Sequence, residues 1–142
     1  MRYPENTMDH SPRFLKLCED VVKRIKEISA DDVAASIAKT DDFALIDVRE
    51  ESEFAAGRIK GAKHMGRGII ERDIEKKFPD VGADIVLYCG GGFRSALAAE
   101  NLQKMGYTNV KSMAGGWRGW NEKGLPTESE TTDKSTVSGV AL

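Results

Sequence analysis

The sequence predicts an α/β fold, with a parallel sheet covered by helices on both faces. Three observations carry this. Two apolar runs, "FALIDV" (Phe43 to Val48) and "DIVLYC" (Asp84 to Cys89), have the length and continuity of buried strands. A third candidate strand, "NVKSM", follows at Asn109 to Met113. Segments with helical spacing separate these runs, and strands alternating with helices imply a parallel sheet.

Each element has its own signal. Ser11 stands as an N-cap with Pro12 at the first helical position, and Phe14, Cys18, Val21 and Ile25 then recur on one face. This predicts an amphipathic N-terminal helix reaching to Ile28. A second start signal at Ser29, with Val33 and Ile37 spaced by a turn, predicts a short helix. "ESEFAAG" reads as a short helix stopped by Gly57. Arg58 to Gly68 is basic and punctuated by glycine, so it is expected to be mostly loop with one short strand. Ile70, Ile74 and Phe78 define a helix ended by Pro79. "RSALAAENLQKMG" is the strongest helix, with Ala98, Leu102 and Met105 on one face and Gly106 as its stop. Trp117 and Trp120 sit on a last short helix bounded by glycines, where shared core packing is expected. From Thr127 the polar low-complexity composition predicts disorder.

Composition excludes several function classes. A chain of 142 residues is long enough for one domain with one core. Its formal net charge of −2 gives no nucleic-acid footprint, and no apolar run approaches the roughly 18 residues of a membrane span. The start "MRYPENTMDHSPRF" lacks the apolar core of a secretory signal. Two cysteines, Cys18 and Cys89, make no disulfide framework, which points to a reducing, cytoplasmic setting. With His10 and His64 they show no paired metal-ligand spacing, so neither a metal nor a cofactor is expected.

The chemistry concentrates in "YCGGGFRS". In open parallel sheets, ligands collect outside the carboxyl ends of the strands. Cys89 ends one strand there, and Asp47 and Arg49 end its neighbour. Gly90, Gly91 and Gly92 carry no Cβ, so the backbone can curl and aim its N–H groups inward. Those groups and the following helix N-terminus favour a thiolate over a thiol and would cradle an anionic product on sulfur. Cys18, on an apolar stripe, reads as a packing residue.

Three blocks, "LIDVREESEFAAGRIKGAKHM", "VLYCGGGFRSALAAENLQKMGYTNVKSMAGGWRGW" and "GLPTE", resemble the single-domain rhodanese-like sulfurtransferase family over Ile28 to Glu128. The resemblance implies a rhodanese-like three-layer fold in residues 28–128, leaving 1–27 as a helical extension and 129–142 as a disordered tail. It implies sulfane-sulfur transfer from a small donor such as thiosulfate to cyanide or a thiol, through a persulfide on Cys89. Protein donors or acceptors are compatible with it, and so are a monomer and a homodimer. Gly90, Gly91, Gly92, Phe93 and Arg94 match the persulfide cradle, while Asp47 and Arg49 match a supporting block. Glu53 and Arg58 fall where the family organises its fold.

The resemblance leaves alternatives. The chain could be a persulfide carrier or regulatory module that serves a protein partner. It could be a cysteine-based phosphatase or arsenate reductase, although such loops place five residues between cysteine and arginine and this one has four. Family members often carry a bulky or basic residue directly after the cysteine, where this chain has Gly90. Phe93 could wall the pocket or pack. Arg94 could meet the substrate or brace the loop against a carboxylate such as Glu53. Arg58, Lys60, Lys63, His64 and Arg67 could face the Cys89 pocket or only solvent.

Overall fold

A computed structural model describes residues 10–130. In chain order the elements are α1 (Pro12–Val22), β1 (Lys26–Ile28), α2 (Ala30–Ala38), β2 (Ala44–Asp47), α3 (Glu51–Ala56), β3 (Arg58–Ile59), β4 (Lys63–His64), α4 (Ile70–Lys77), β5 (Ile85–Tyr88), α5 (Phe93–Lys104), β6 (Val110–Met113), α6 (Gly116–Glu122) and β7 (Thr127–Glu128). The central sheet has five strands in the order β1-β6-β5-β2-β4, all parallel. A small antiparallel pair, β3 with β7, lies apart from it.

Both faces of the sheet are buried, which is why its strands read as continuous apolar runs. Side chains alternate along a strand. Ile85, Leu87 and Cys89 therefore turn to one face, where they meet Ile70 and Ile74 of α4 and Ala98 and Leu102 of α5. Val86 and Tyr88 turn to the other, packing with Val33 of α2, Ile59 and Trp120 of α6. These are the three layers, with β5 at the centre. Helix α1 forms a further layer on the first face: Cys18, Val21 and Val22 bury against Phe93 and Ala96 of α5. Cys18 is wholly buried, and burial pushes its thiol pKa up to about 11, with the nearby Cys89 adding to the rise.

Four expectations need correction. The N-terminal helix stops at Val22, and Lys26–Ile28 leave it as a strand that pairs with β6, so tertiary pairing overrides the helical spacing of Ile25. The segment after Gly57 holds two short strands, not one. Met105 lies outside the buried face of α5, as the C-cap residue with 39% of its surface exposed. Thr127 and Glu128, expected to be disordered, pair with Ile59 and Arg58. Pro126 anchors this return: its carbonyl accepts from Trp120 Nε1 at 3.0 Å and from Lys60 N at 3.2 Å. Beyond Glu130 the tail lies outside the described residues.

The Trp120 anchor can be tested. Trp120→Phe keeps most of the ring burial but removes the donor to Pro126. It should cost about 1–3 kcal/mol, from the lost hydrogen bond and the unfilled volume. Equilibrium urea unfolding reads this as a lower midpoint; an unchanged midpoint would show that the tether adds nothing.

Candidate active site

The site is built at the carboxyl edge of the sheet, where β5 gives way to two helix starts. The Cys89 side chain continues the alternation of β5 and points toward α5. Gly92, at φ +102°, makes the left-handed turn into that helix. Only glycine adopts this geometry without strain. Gly91 has no positive φ, so the demand for glycine falls on its neighbour. The turn delivers two amides to the sulfur: Gly92 N donates to Cys89 Sγ at 3.1 Å and Ser95 N at 3.3 Å. The cradle expected over Gly90 to Arg94 thus has its second donor one residue further on.

Two hydroxyls lie beneath the sulfur. The Cys89 thiol donates to Ser95 Oγ at 3.5 Å, and Ser95 Oγ is 2.8 Å from Ser112 Oγ. Both serines are fully buried. Sequence reasoning missed them. The available signals were a serine in the first turn of the helix after Arg94 and a lone hydroxyl within the apolar strand "VKSM".

The main chain of Cys89 is held from the other side. Its carbonyl accepts from Trp117 N at 2.7 Å, and the Gly90 carbonyl accepts from Arg118 N at 3.0 Å. These donors belong to the first turn of α6. The approach requires Gly116, at φ +54°, because a Cβ there would lie 2.4 Å from the Cys89 carbonyl oxygen.

Asp47 and Arg49 form a buried pair next to this junction. Arg49 Nε is 3.0 Å from both Asp47 oxygens and Nη2 is 2.7 Å from Oδ2, while the Arg49 amide also donates to Oδ1 at 2.9 Å. Burial works against the Arg49 charge, but Asp47 outweighs it and holds the guanidinium pKa above its ordinary value. Burial also pushes the Tyr88 phenol up, helped by Asp47, so Tyr88 stays neutral and accepts from Ile59 N. The Asp47 carboxylate reaches the loop only at one remove. Its partner Arg49 lies 4.8 Å from the centre of the Trp117 ring and donates to the Gly57 carbonyl.

Arg94 leaves the loop toward α3. Its Nη1 and Nη2 meet Glu53 Oε1 and Oε2 at 3.0 and 3.4 Å. The side chain passes beside Gly90, where a Cβ would sit 3.1 Å from Nη2. A larger residue after Cys89 would thus compete with Arg94 for space. Burial raises the Glu53 pKa, but the Arg94 fork and the Glu50 amide outweigh it and leave a net fall. For Arg94 burial lowers, while Glu53 and Cys89 raise, with a net rise.

A cleft of about 910 Å³ opens over the sulfur. Cys89, Gly90, Gly91, Phe93, Arg94, Trp117 and Arg118 line it, together with His10, Ser11 and Phe14 from the N-terminal arm. Phe93 fills both roles open to it, since it is buried against α1 and forms part of the wall. The two tryptophans have separate roles: Trp120 is core, and Trp117 lies between Arg49, Gly57 and the cleft. The basic stretch does not line the cleft. Arg58 reaches Glu128, His64 Nε2 lies 2.8 Å from the Arg49 carbonyl, and Arg67 pairs with Glu71. Arg118 supplies a cation there that no sequence motif marks.

The fold agrees with the comparisons. A family model of the rhodanese-like domain matches residues 29–123. The chain belongs to this family. It is 32% identical over 102 residues to a sulfurtransferase of Allochromatium vinosum, covering 72% of this chain and 94% of that one. The polysulfide-sulfur transferase homodimer of Wolinella succinogenes superposes with a TM-score of 0.70 at 30% identity, covering 82% of this chain and 88% of that one. A Rhodopseudomonas palustris protein of unknown function, described as a possible tyrosine phosphatase, superposes with a TM-score of 0.71 at 28% identity, covering 81% and 93%. Rhodanese-like neighbours and this structure share the central parallel sheet flanked by helices.

Two predictions arise here. Gly116→Ala should push α6 off the end of β5, lowering both turnover and melting temperature; a crystal structure with both Cys89 and Gly90 carbonyl bonds intact would refute this. Arg94→Lys keeps the charge but loses the fork. Because the Glu53 pKa is lowered in the fold, the pair's stabilisation is present above the ordinary carboxylate value and is lost as pH falls through the folded one. The lysine variant should therefore melt below the parent at neutral pH, with the gap closing on acidification. A gap that does not change with pH would remove the pair as its cause.

Proposed function

We propose that this rhodanese-family protein is a sulfurtransferase that carries sulfane sulfur as a persulfide on Cys89 and delivers it to a thiophilic acceptor such as cyanide or a thiol. One observation carries the reading: Cys89 Sγ accepts two amide hydrogen bonds at the start of α5, at the base of a cleft that Arg94 and Arg118 line. Oriented amides favour negative charge on the sulfur and on the persulfide that replaces it.

With thiosulfate as donor, the Cys89 thiolate attacks the sulfane sulfur. A sulfur–sulfur bond forms to Cys89, the bond to the sulfonyl sulfur breaks, and its electron pair leaves with sulfite. Cyanide or a thiolate then attacks the terminal sulfur and the Cys89 thiolate departs. No outside oxidant or reductant is needed. Gly92 and Ser95 hold the charge through their amides, Gly90 and Gly91 leave room above it, and Phe93 walls it. Arg94 braces the loop through Glu53, and Asp47 with Arg49 supports α6 through Trp117. Residues 28–128 form the sulfurtransferase domain in this reading, with residues 1–27 as an extension that adds α1 and the first two residues of β1, and 129–142 as a tail.

A persulfide carrier that serves a protein partner uses the same cysteine and differs only in its acceptor. Both cysteines are free, which supports a reducing, cytoplasmic setting. No described helix is long and apolar enough to cross a membrane. The four-residue spacing from Cys89 to Arg94 stands against a phosphatase or arsenate reductase.

Mass spectrometry after thiosulfate, and again after cyanide, tests the chemistry. The parent protein should gain one sulfur atom on Cys89 and lose it to cyanide with release of thiocyanate. Cys89→Ser should do neither and keep its fold, because a hydroxyl cannot hold sulfane sulfur. Thiocyanate production by that variant at the parent rate would sink the mechanism. Stoichiometric loading with negligible turnover would favour the carrier.

A further inference from the structure

We infer that α1 and the residue before its cap give this cleft a preference for organic sulfane-sulfur anions, compounds in which the transferable sulfur is bonded to a sulfonyl sulfur that carries an aryl or alkyl group. The inference rests on the sulfur-transfer reading above and concerns which donors the site takes.

The observations lie in the arm. His10, Ser11 and Phe14 precede the segment that the family model matches, yet all three line the cleft over Cys89. The rings of His10, Phe14 and Phe93 form a mutual cluster: His10 to Phe93 is 4.6 Å between centroids, His10 to Phe14 is 5.3 Å, and Phe14 to Phe93 is 5.5 Å. Phe93 is fixed from behind by Cys18, Val21 and Ala96, so this wall is backed by packed core. Trp117, which also lines the cleft, is held against Arg49 and Gly57.

Size and chemistry point the same way. Thiosulfate has only a few heavy atoms and no apolar surface, whereas the cleft holds about 910 Å³, in the range of pockets that take whole organic ligands. Aromatic rings gain little from a bare hydrated anion and much from covering an apolar group. Arg118 on the same cleft matches the negative end of such a donor, while the Arg94 fork is taken up by Glu53. An organic thiosulfonate combines both features. Its terminal sulfur would reach Cys89 with its substituent against the ring cluster. The step balances as for thiosulfate: the Cys89 thiolate takes the sulfane sulfur, the bond to the sulfonyl sulfur breaks, and the electron pair leaves with the sulfinate.

The test compares kcat/KM for thiosulfate, methanethiosulfonate and benzenethiosulfonate with cyanide as acceptor, using the full chain. The parent should prefer benzenethiosulfonate over thiosulfate by about tenfold or more, with methanethiosulfonate between them. Phe14→Ala and His10→Ala should each cut the benzenethiosulfonate-to-thiosulfate ratio several-fold. Phe14 also packs on α1, so His10→Ala decides the matter if Phe14→Ala melts early. A parent ratio near one, or a ratio that His10→Ala leaves unmoved, overturns the inference while sulfur transfer stands. Failure of every donor to load Cys89 overturns sulfur transfer itself, and this inference with it.

Discussion

The hydrogen bond from the Trp117 amide to the Cys89 carbonyl, at 2.7 Å, is the contact on which the rest of the site depends. It joins the end of the central strand to the start of a helix on the opposite face from α5. The cysteine is thereby held twice, by its carbonyl from α6 and by its sulfur from α5. Neither hold works alone. Without α6, the strand end could swing and carry the sulfur away from the α5 amides. Without the α5 turn at Gly92, the main chain would be fixed while the sulfur faced apolar core. The glycines divide this work. Gly92 supplies a backbone angle and Gly116 supplies a close approach.

The Asp47–Arg49 pair belongs to the same junction. A buried ion pair is weak evidence for stability, because desolvation offsets much of the attraction. Its value here is positional. Asp47 fixes the guanidinium in a plane, and that plane is a platform for the Trp117 ring. The position of α6 is therefore set from two neighbouring strands, β2 through Arg49 and β5 through Cys89. The half-buried pair of Arg94 and Glu53 works differently. Both side chains are more than a third exposed, so their pair contributes orientation of the loop more than energy.

Much of the architecture was legible because the signals were strong and local. Two strands buried on both faces leave continuous apolar runs, and Gly57, Pro79 and Gly106 mark element ends. The placement of Cys89 was legible because the apolar run of β5 ends at it and the glycines after it mark a turn into a helix. What escaped was tertiary. Ile25 keeps helical spacing with Val21, but the pairing of Lys26–Ile28 with β6 decides that segment's conformation. Thr127 and Glu128 look like tail until Pro126 is seen under Trp120. Ser112 sits in a strand whose alternation places it beneath the sulfur, a fact of register between β5 and β6 that no spacing along the chain encodes. The arm's share of the cleft has the same origin, since only the packing of α1 on α5 brings Phe14 to Phe93.

The two buried serines have a bearing on how the site changes charge. With a neutral thiol, the Cys89 hydrogen points to Ser95 Oγ, and in the contact between Ser95 and Ser112 either hydroxyl can donate. With charge on the sulfur, the same oxygen positions allow Ser112 to donate to Ser95 and Ser95 to Cys89 without moving a heavy atom. The response resembles a solvent of two molecules, frozen in place and free only to turn. Water would answer the same charge by shifting many molecules, at a reorganisation cost that such a relay avoids. In the proposed reaction, each transfer onto and off Cys89 would move negative charge by about one sulfur–sulfur bond. A pair of rotors anchored in α5 and β6 can follow that displacement at every turnover while the fold around it stays still.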